Sequence, residues 1–187
     1  MRDLVLIADD LTGALDSCCA FAAPERPVLV APPWRDIPQG PRVAISTDTR
    51  DAPATDSVSD ATARLKRIAG PGALWFKKVD SVMRGEPFAE TRAVMEAGGF
   101  RRCVFAPAFP AMGRVTADGR QHVIGHESVT TPVGPDIIDA FRRLGLKAEI
   151  VDFSDGAPRH ADDAQVLVVE AQTQETLRRR VAAMAAR

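Results

Sequence analysis

The chain has 187 residues, 24 Lys and Arg against 25 Asp and Glu for a net charge of -1, and 45% hydrophobic residues. That length buries a substantial core, and three cysteines, an odd number without metal-type spacing, argue against a disulfide framework and for a reducing compartment. The charge balance argues against a nucleic-acid partner, and with no signal-like leader and no apolar run near about 18 residues the chain reads as cytoplasmic, without a membrane partner.

Residues 4–8 are an apolar run that ends in Asp9 and Asp10 and continues into Thr12, Gly13 and small residues. This pattern predicts a buried parallel strand that delivers charge to its C-terminal edge, followed by a helix over 13–22 that Pro24 and Pro27 stop. A second strand is expected over 28–31. The proline-rich stretch 32–41 is a loop, in which Trp34 either covers the core or acts as a lid. Residues 42–47 predict a third strand, 55–68 a helix ended by Gly70-Pro71-Gly72, and 74–79 a fourth strand. A short helix over 87–97 closes at Gly98-Gly99, and a fifth strand covers 103–106. The stretch 107–135 reads as a long irregular loop with at most a short strand over 122–125; loops of that length tend to be functional. A helix over 136–144, strands over 148–151 and 166–169, and a helix over 173–186 complete the chain. Short β-rich runs alternating with helices, several apolar on both faces, predict an α/β fold: a three-layer sandwich with a mainly parallel sheet flanked by helices.

Open α/β sheets bind ligands at the C-terminal ends of their strands, and the polar clusters of this chain fall there. Asp9 and Asp10 can bind a divalent cation, accept bonds from ligand hydroxyls or act as a general base; alternatively one caps the helix while the other faces water. Thr47-Asp48-Thr49-Arg50 brings a guanidinium, whose planar fork suits carboxylate or phosphate, although a plain Asp48–Arg50 surface contact also fits. In a strand Lys77 and Lys78 point to opposite faces, and Lys78 is the one nearer the edge. Asp80 and Ser81 can exchange hydrogen bonds with a polyol, Arg84 can hold an anion, and Gly85 relieves crowding; a charged turn is the plain alternative. Residues 106–114 form a proline-shaped loop whose Arg114 can approach phosphate or carboxylate. His122, His126 and Glu127 are too few and too irregular for a metal site, and each histidine is expected to be satisfied locally. The dinucleotide glycine fingerprint, Gly-x-x-x-x-Gly-Lys-Ser/Thr and Gly-x-Ser-x-Gly do not occur. Such a rim suits a small hydroxylated acid, its carboxylate meeting Arg or Lys and its hydroxyls meeting Asp and Ser.

Ile7-Ala8-Asp9-Asp10-Leu11-Thr12-Gly13-Ala14, Ser46-Thr47-Asp48-Thr49-Arg50, Phe76-Lys77-Lys78-Val79-Asp80-Ser81-Val82-Met83-Arg84-Gly85 and the run from Ala106 through Arg114 to Gly119 together resemble the motifs of the four-carbon acid sugar kinases. The resemblance implies a two-domain, ATP-dependent kinase acting on threonate, erythronate or a related acid. It implies that residues 1–187 are the N-terminal acid-sugar-binding domain and that the C-terminal nucleotide-binding domain is absent from this chain. ATP and Mg2+ are then expected mainly through that second domain, and no metal ligand is assigned here. It places substrate contacts on Asp9, Asp10, Arg50, Lys78, Val79, Asp80, Ser81 and Arg84, with Asp10 and Asp80 as the catalytic candidates. Arg114 joins them from the reading of its loop. Val82-Met83 stand where the family usually has Thr-Leu, which removes a hydroxyl and implies a shifted substrate preference.

The expected partners are the acid and a nucleotide-binding domain or split subunit, with homodimerisation left open. Alone, this chain is expected to bind acid without efficient catalysis, because phosphoryl transfer needs both substrates held in line. The rival readings are a non-catalytic sugar-acid-binding or split-subunit domain, and a metal-dependent hydrolase or aldolase built on Asp9 and Asp10.

Overall fold

A computed structural model describes residues 2–52 and 54–185, which form two compact units. The first runs up to Asp80 and includes Arg84–Phe100; the second takes Ser81–Met83 and the residues from Arg101 on.

In the first unit β1 (Arg2–Ala8), β2 (Leu29–Ala31), β3 (Arg42–Ser46) and β4 (Ala69–Lys78) form a parallel sheet in the order β2-β3-β1-β4. Successive strand residues face opposite layers, and here both layers are apolar. Leu6, Ala8 and Ala44 pack against Ala14 and Cys18 of α1 (Leu11–Cys19). Val5, Ile7, Val43 and Ile45 pack against Val58 and Leu65 of α2 (Thr55–Lys66) and Ala93 and Val94 of α3 (Pro87–Gly98). The three layers are therefore α1, the sheet, and α2 with α3. The chain leaves β1 for α1 on one face and leaves β3 for α2 on the other, so the neighbouring ends of β1 and β3 are a topological switch point.

In the second unit β5 (Cys103–Phe105), β9 (Ala148–Ile150) and β10 (Val166–Val168) are parallel in the order β5-β10-β9. Phe141 of α4 (Ile137–Arg143) meets Phe105 edge-on with centroids 5.0 Å apart. Met184 of α5 (Gln174–Ala185) joins Val151, Ala164, Leu167 and Val169. The expected α/β class, with mainly parallel sheets flanked by helices, is what the chain forms.

Four expectations change. The supposed irregular stretch 107–135 holds an antiparallel meander of β6 (Arg114–Ala117), β7 (Arg120–Ile124) and β8 (Thr130–Val133). Its first turn is Asp118-Gly119, with φ of 51° and 71°, the left-handed pair that a two-residue hairpin needs. Gly70-Pro71-Gly72 lies inside β4, where the pairing with β1 jumps from Arg2–Ala69 to Leu4–Leu74 and the intervening residues bulge. Trp34 is 72% exposed and covers no core. The Nδ1 of half-buried His122 has no hydrogen-bond partner among the described residues, so the local satisfaction expected of this histidine fails at that nitrogen. The Glu127 side chain and Ala186, the expected end of the last helix, lie outside the described residues.

Candidate functional site

The ends of β1, β3 and β4 bring charge together within the first unit. Asp10 is the N-cap of α1: its backbone is extended and its Oδ1 accepts from the Gly13 N–H at 2.7 Å. The same carboxylate and that of Asp9 grip Arg50. Arg50 Nε and Nη2 donate to Asp9 at 2.8 and 3.0 Å, and Nη1 and Nη2 donate to Asp10 at 2.6 and 2.8 Å. Nη2 also lies 3.7 Å from Asp80 Oδ1. Both carboxylates are thus held bidentately by one guanidinium, and Arg50 commits all but one of its N–H donors to them.

The capping alternative holds for Asp10 alone. Asp9 does not face water, being 4% exposed, whereas Asp10 both caps the helix and keeps 22% of its side chain open. With Oδ1 accepting from Gly13 and Arg50, Asp10 Oδ2 can take one further bond from outside. A divalent ion at this pair would have to compete with a guanidinium that already donates to all four carboxylate oxygens. Among the described residues no three His, Cys, Asp or Glu side chains converge to hold a metal.

Two glycines permit the packing. A Cβ at Gly13 would lie 2.5 Å from Asp10 Oδ1 and 3.6 Å from Arg50 Nη2. Gly85 has φ of 72°, and a Cβ there would lie 3.1 Å from the Arg50 carbonyl oxygen. Arg50 is consequently enclosed by backbone on one side and carboxylates on the other.

Asp80 is buried and pairs with Arg84, whose Nη2 and Nε donate to its two oxygens at 2.8 and 3.2 Å while 60% of the side chain stays exposed. Arg84 is the cation most open to a visiting anion. Lys78 is half-buried and its Nζ donates to the Val79 carbonyl, which is the contribution of Val79 here. Burial holds the Lys78 pKa below the ordinary lysine value; Arg50 adds to that, and Asp9, Asp80 and Asp10 oppose it. Burial also works against the charged Arg50, but the bond to Asp9 and the charges of Asp9, Asp10 and Asp80 outweigh it and raise its pKa. The bond to Asp80, then its charge, raises that of Arg84.

Ser81 and Arg114 belong to the second unit. The Ser81 carbonyl accepts from the buried Gln121 at 2.9 Å, and Gln121 Oε1 accepts from Thr116 at 2.6 Å. Arg114 Nη1 turns onto the Met112 carbonyl.

Sequence reasoning missed a polar group behind Arg50. Glu90 of α3 is 1% exposed; its Oε2 lies 2.7 Å from Lys77 Nζ and its Oε1 accepts from Thr49 at 2.5 Å. Thr49 Oγ1 is 2.9 Å from Thr47 Oγ1, and Lys77 Nζ also donates to the Lys78 carbonyl at 2.8 Å. A usable signal existed. Lys77, Thr47 and Thr49 share the strand faces of Trp75, Val43 and Ile45, and Glu90 precedes Ala93 and Val94 by three and four residues, so all four point into the layer between the sheet and α3.

A family model described as a sugar-binding N-terminal domain matches residues 4–141. The chain is 35% identical over 125 residues to a D-threonate kinase of Cupriavidus necator, covering 65% of this chain and 30% of that protein. It is 31% identical over 137 residues to a D-threonate kinase of Salmonella typhimurium, covering 71% and 32%. The matches therefore span about a third of the length of these curated relatives. A solved protein of Bordetella bronchiseptica, a domain of unknown function with bound citrate described as a domain-swapped dimer, aligns with a TM-score of 0.70 at 25% identity over 99% of this chain and 52% of that one. A Haemophilus influenzae protein, with a TM-score of 0.70 at 17% identity over 97% and 51%, shares the fold.

Proposed function

Because the chain belongs to the sugar-binding N-terminal domain family, we propose that it is the substrate-binding half of an ATP-dependent kinase for a four-carbon sugar acid of the threonate or erythronate type. The observation that carries this reading is the clasp of Arg50 by Asp9 and Asp10 beside Lys78 and the exposed Arg84, at the switch point of a parallel sheet. The division of labour follows from which groups remain open. Arg84 and Lys78 receive the carboxylate of the acid, because Arg50 is already spent on aspartates. Asp10 accepts a substrate hydroxyl at Oδ2 and orients it for transfer, while Asp80 aims Arg84 rather than touching the reacting oxygen. Citrate on the Bordetella relative, a hydroxylated polycarboxylate, is the kind of anion such a rim would take.

The nucleotide and its Mg2+ belong, in this reading, to a domain outside this chain, carried on the same polypeptide or on a separate subunit. The residues here do not fit them: no phosphate-cradling glycine pattern occurs, and all four oxygens of the aspartate pair already accept from Arg50. This chain contributes binding and orientation, and transfer requires the donor to be brought into line. Self-association, described for the Bordetella protein, is a further element of the proposal.

Calorimetric titration of D-threonate, D-erythronate and citrate into this chain, with and without Mg-ATP, tests the reading. Heat with a four-carbon acid and none with Mg-ATP alone is expected. Silence with every acid would remove the substrate-binding role, and nucleotide binding by this chain alone would move the donor site into it.

A further inference from the structure

We propose that Glu90 is a positioning residue for the acid site: through Thr49 it fixes the turn that presents Arg50, and through Lys77 it fixes the end of β4 that presents Lys78. The claim rests on the acid-binding reading for its functional half and on geometry alone for its structural half.

The protons of the buried network can be assigned by counting. Each threonine hydroxyl has one proton to give. That of Thr49 goes to the Glu90 carboxylate, and that of Thr47 is shared between the Ala8 carbonyl at 3.0 Å and the Thr49 hydroxyl at 2.9 Å. The Ala8 carbonyl accepts from the Thr47 backbone N–H as well, at 2.8 Å. The result is a connected run of hydroxyls, Thr47 to Thr49, that ends on the buried Glu90 carboxylate.

That run bridges a backbone turn in which the Asp48 N–H donates to Ser46 Oγ at 3.3 Å. Asp48, between the two threonines, has φ of 56°, in the left-handed region that residues with a Cβ rarely occupy. Clipping Thr47 to Thr49 holds the turn, and the N–H groups of Thr49 and Arg50 then both reach the Asp9 carbonyl, at 2.9 and 3.2 Å. The Arg50 side chain leaves from this fixed point towards Asp9 and Asp10. On its other oxygen Glu90 pairs with Lys77, whose Nζ holds the Lys78 carbonyl. One carboxylate from α3 therefore governs the ends of both strands flanking β1. A buried ion pair is weak evidence for stability, since desolvation offsets most of its attraction, and a role in fixing geometry accounts for its placement here.

The test compares Thr49→Val, Thr49→Ser and Glu90→Gln in this chain, reading the exchange of the Arg50 Nε–H by NMR and D-threonate affinity by calorimetry. Thr49→Val is expected to speed that exchange and weaken the acid by about tenfold each, the scale of one lost charge-assisted hydrogen bond. Thr49→Ser, which restores the hydroxyl, is expected to return both to within about twofold of the parent. Exchange that stays at the parent rate in Thr49→Val, whatever its melting temperature does, overturns the proposal. If Thr49→Val does not fold, Glu90→Gln carries the same comparison, because it keeps the volume and removes the charge; unchanged Arg50 exchange there is equally fatal. A parent chain that binds no acid removes the functional reading, and the exchange rates, which need no ligand, then judge the positioning by themselves.

Discussion

The chain contains two parallel sheets whose strand ends behave differently. In the first unit the ends of β1, β3 and β4 converge on Arg50, with Asp9, Asp10 and Asp80 around it and Glu90 and Lys77 behind it. In the second unit the polar residues past β9 and β10 are spent locally. Asp152 accepts from the Ser154 backbone and hydroxyl at 2.8 and 3.0 Å, which with Arg159 keeps its pKa below the usual carboxylate value, and Glu170 accepts from the Gly119 N–H at 2.7 Å. Parallel topology alone therefore does not make a site. What distinguishes the first sheet is a buried layer that forces its charges to face one another and leaves some of their bonding capacity unmet.

The largest break in that comparison should come from Arg50→Met. It leaves Asp9 buried and unpaired, and removing one partner of a buried pair costs about 3–5 kcal/mol. Arg50 is only 12% exposed, so solvent screening discounts little, and a loss of about 3 kcal/mol in urea unfolding is expected together with loss of acid binding. A loss below about 1 kcal/mol would mean that the clasp behaves as an exposed pair. Gly85→Ala should cost less, about 1–2 kcal/mol, because alanine must adopt the left-handed backbone and its Cβ meets the Arg50 carbonyl at 3.1 Å. The same measurement reads it, and an alanine variant as stable as the parent would show that the contact relaxes freely.

The first sheet was largely legible because its signals are periodic. Apolar strand ends announced Asp9 and Asp10, and two-residue periodicity separated Lys78 from Lys77. The role of Arg50 was only half legible: a guanidinium at a strand end suits a ligand anion, but nothing in the local pattern says that two aspartates separated from it by forty residues already occupy it. Glu90 was missed because an acid in the first turn of a helix ordinarily faces solvent and favours the helix dipole, and only its phase against Ala93 and Val94 betrays burial. In the second unit the error was one of length. Residues 107–135 are rich in Pro and Gly, and their count suggested a loop, while Asp118-Gly119 was a hairpin signal in plain sight.

Lys78 sharpens the comparison by pH, with opposite signs for folding and binding. Its folded pKa lies below the ordinary lysine value, so between the two the unfolded chain holds the extra proton. Stability contributed by this group should therefore rise as pH rises through that window, whereas affinity for an acid should fall as the ammonium is lost. Urea unfolding and threonate titration across the alkaline range read the two trends. Lys78→Arg, which stays charged, should abolish the fall in affinity; the same fall in that variant would place the titrating group elsewhere.

The smallest effect is expected from Asp152→Ala in the second sheet. Its carboxylate is exposed and bonded only to neighbours in its own turn, so no buried partner is orphaned when it goes. Melting temperature and acid affinity should both match the parent within error, although the residue stands just beyond β9, as Asp10 stands just beyond β1. A loss of acid affinity in Asp152→Ala would mean that the second sheet also takes part in recognition. An unchanged affinity, beside its loss in Arg50→Met, would assign recognition to the strand ends with a buried polar layer behind them.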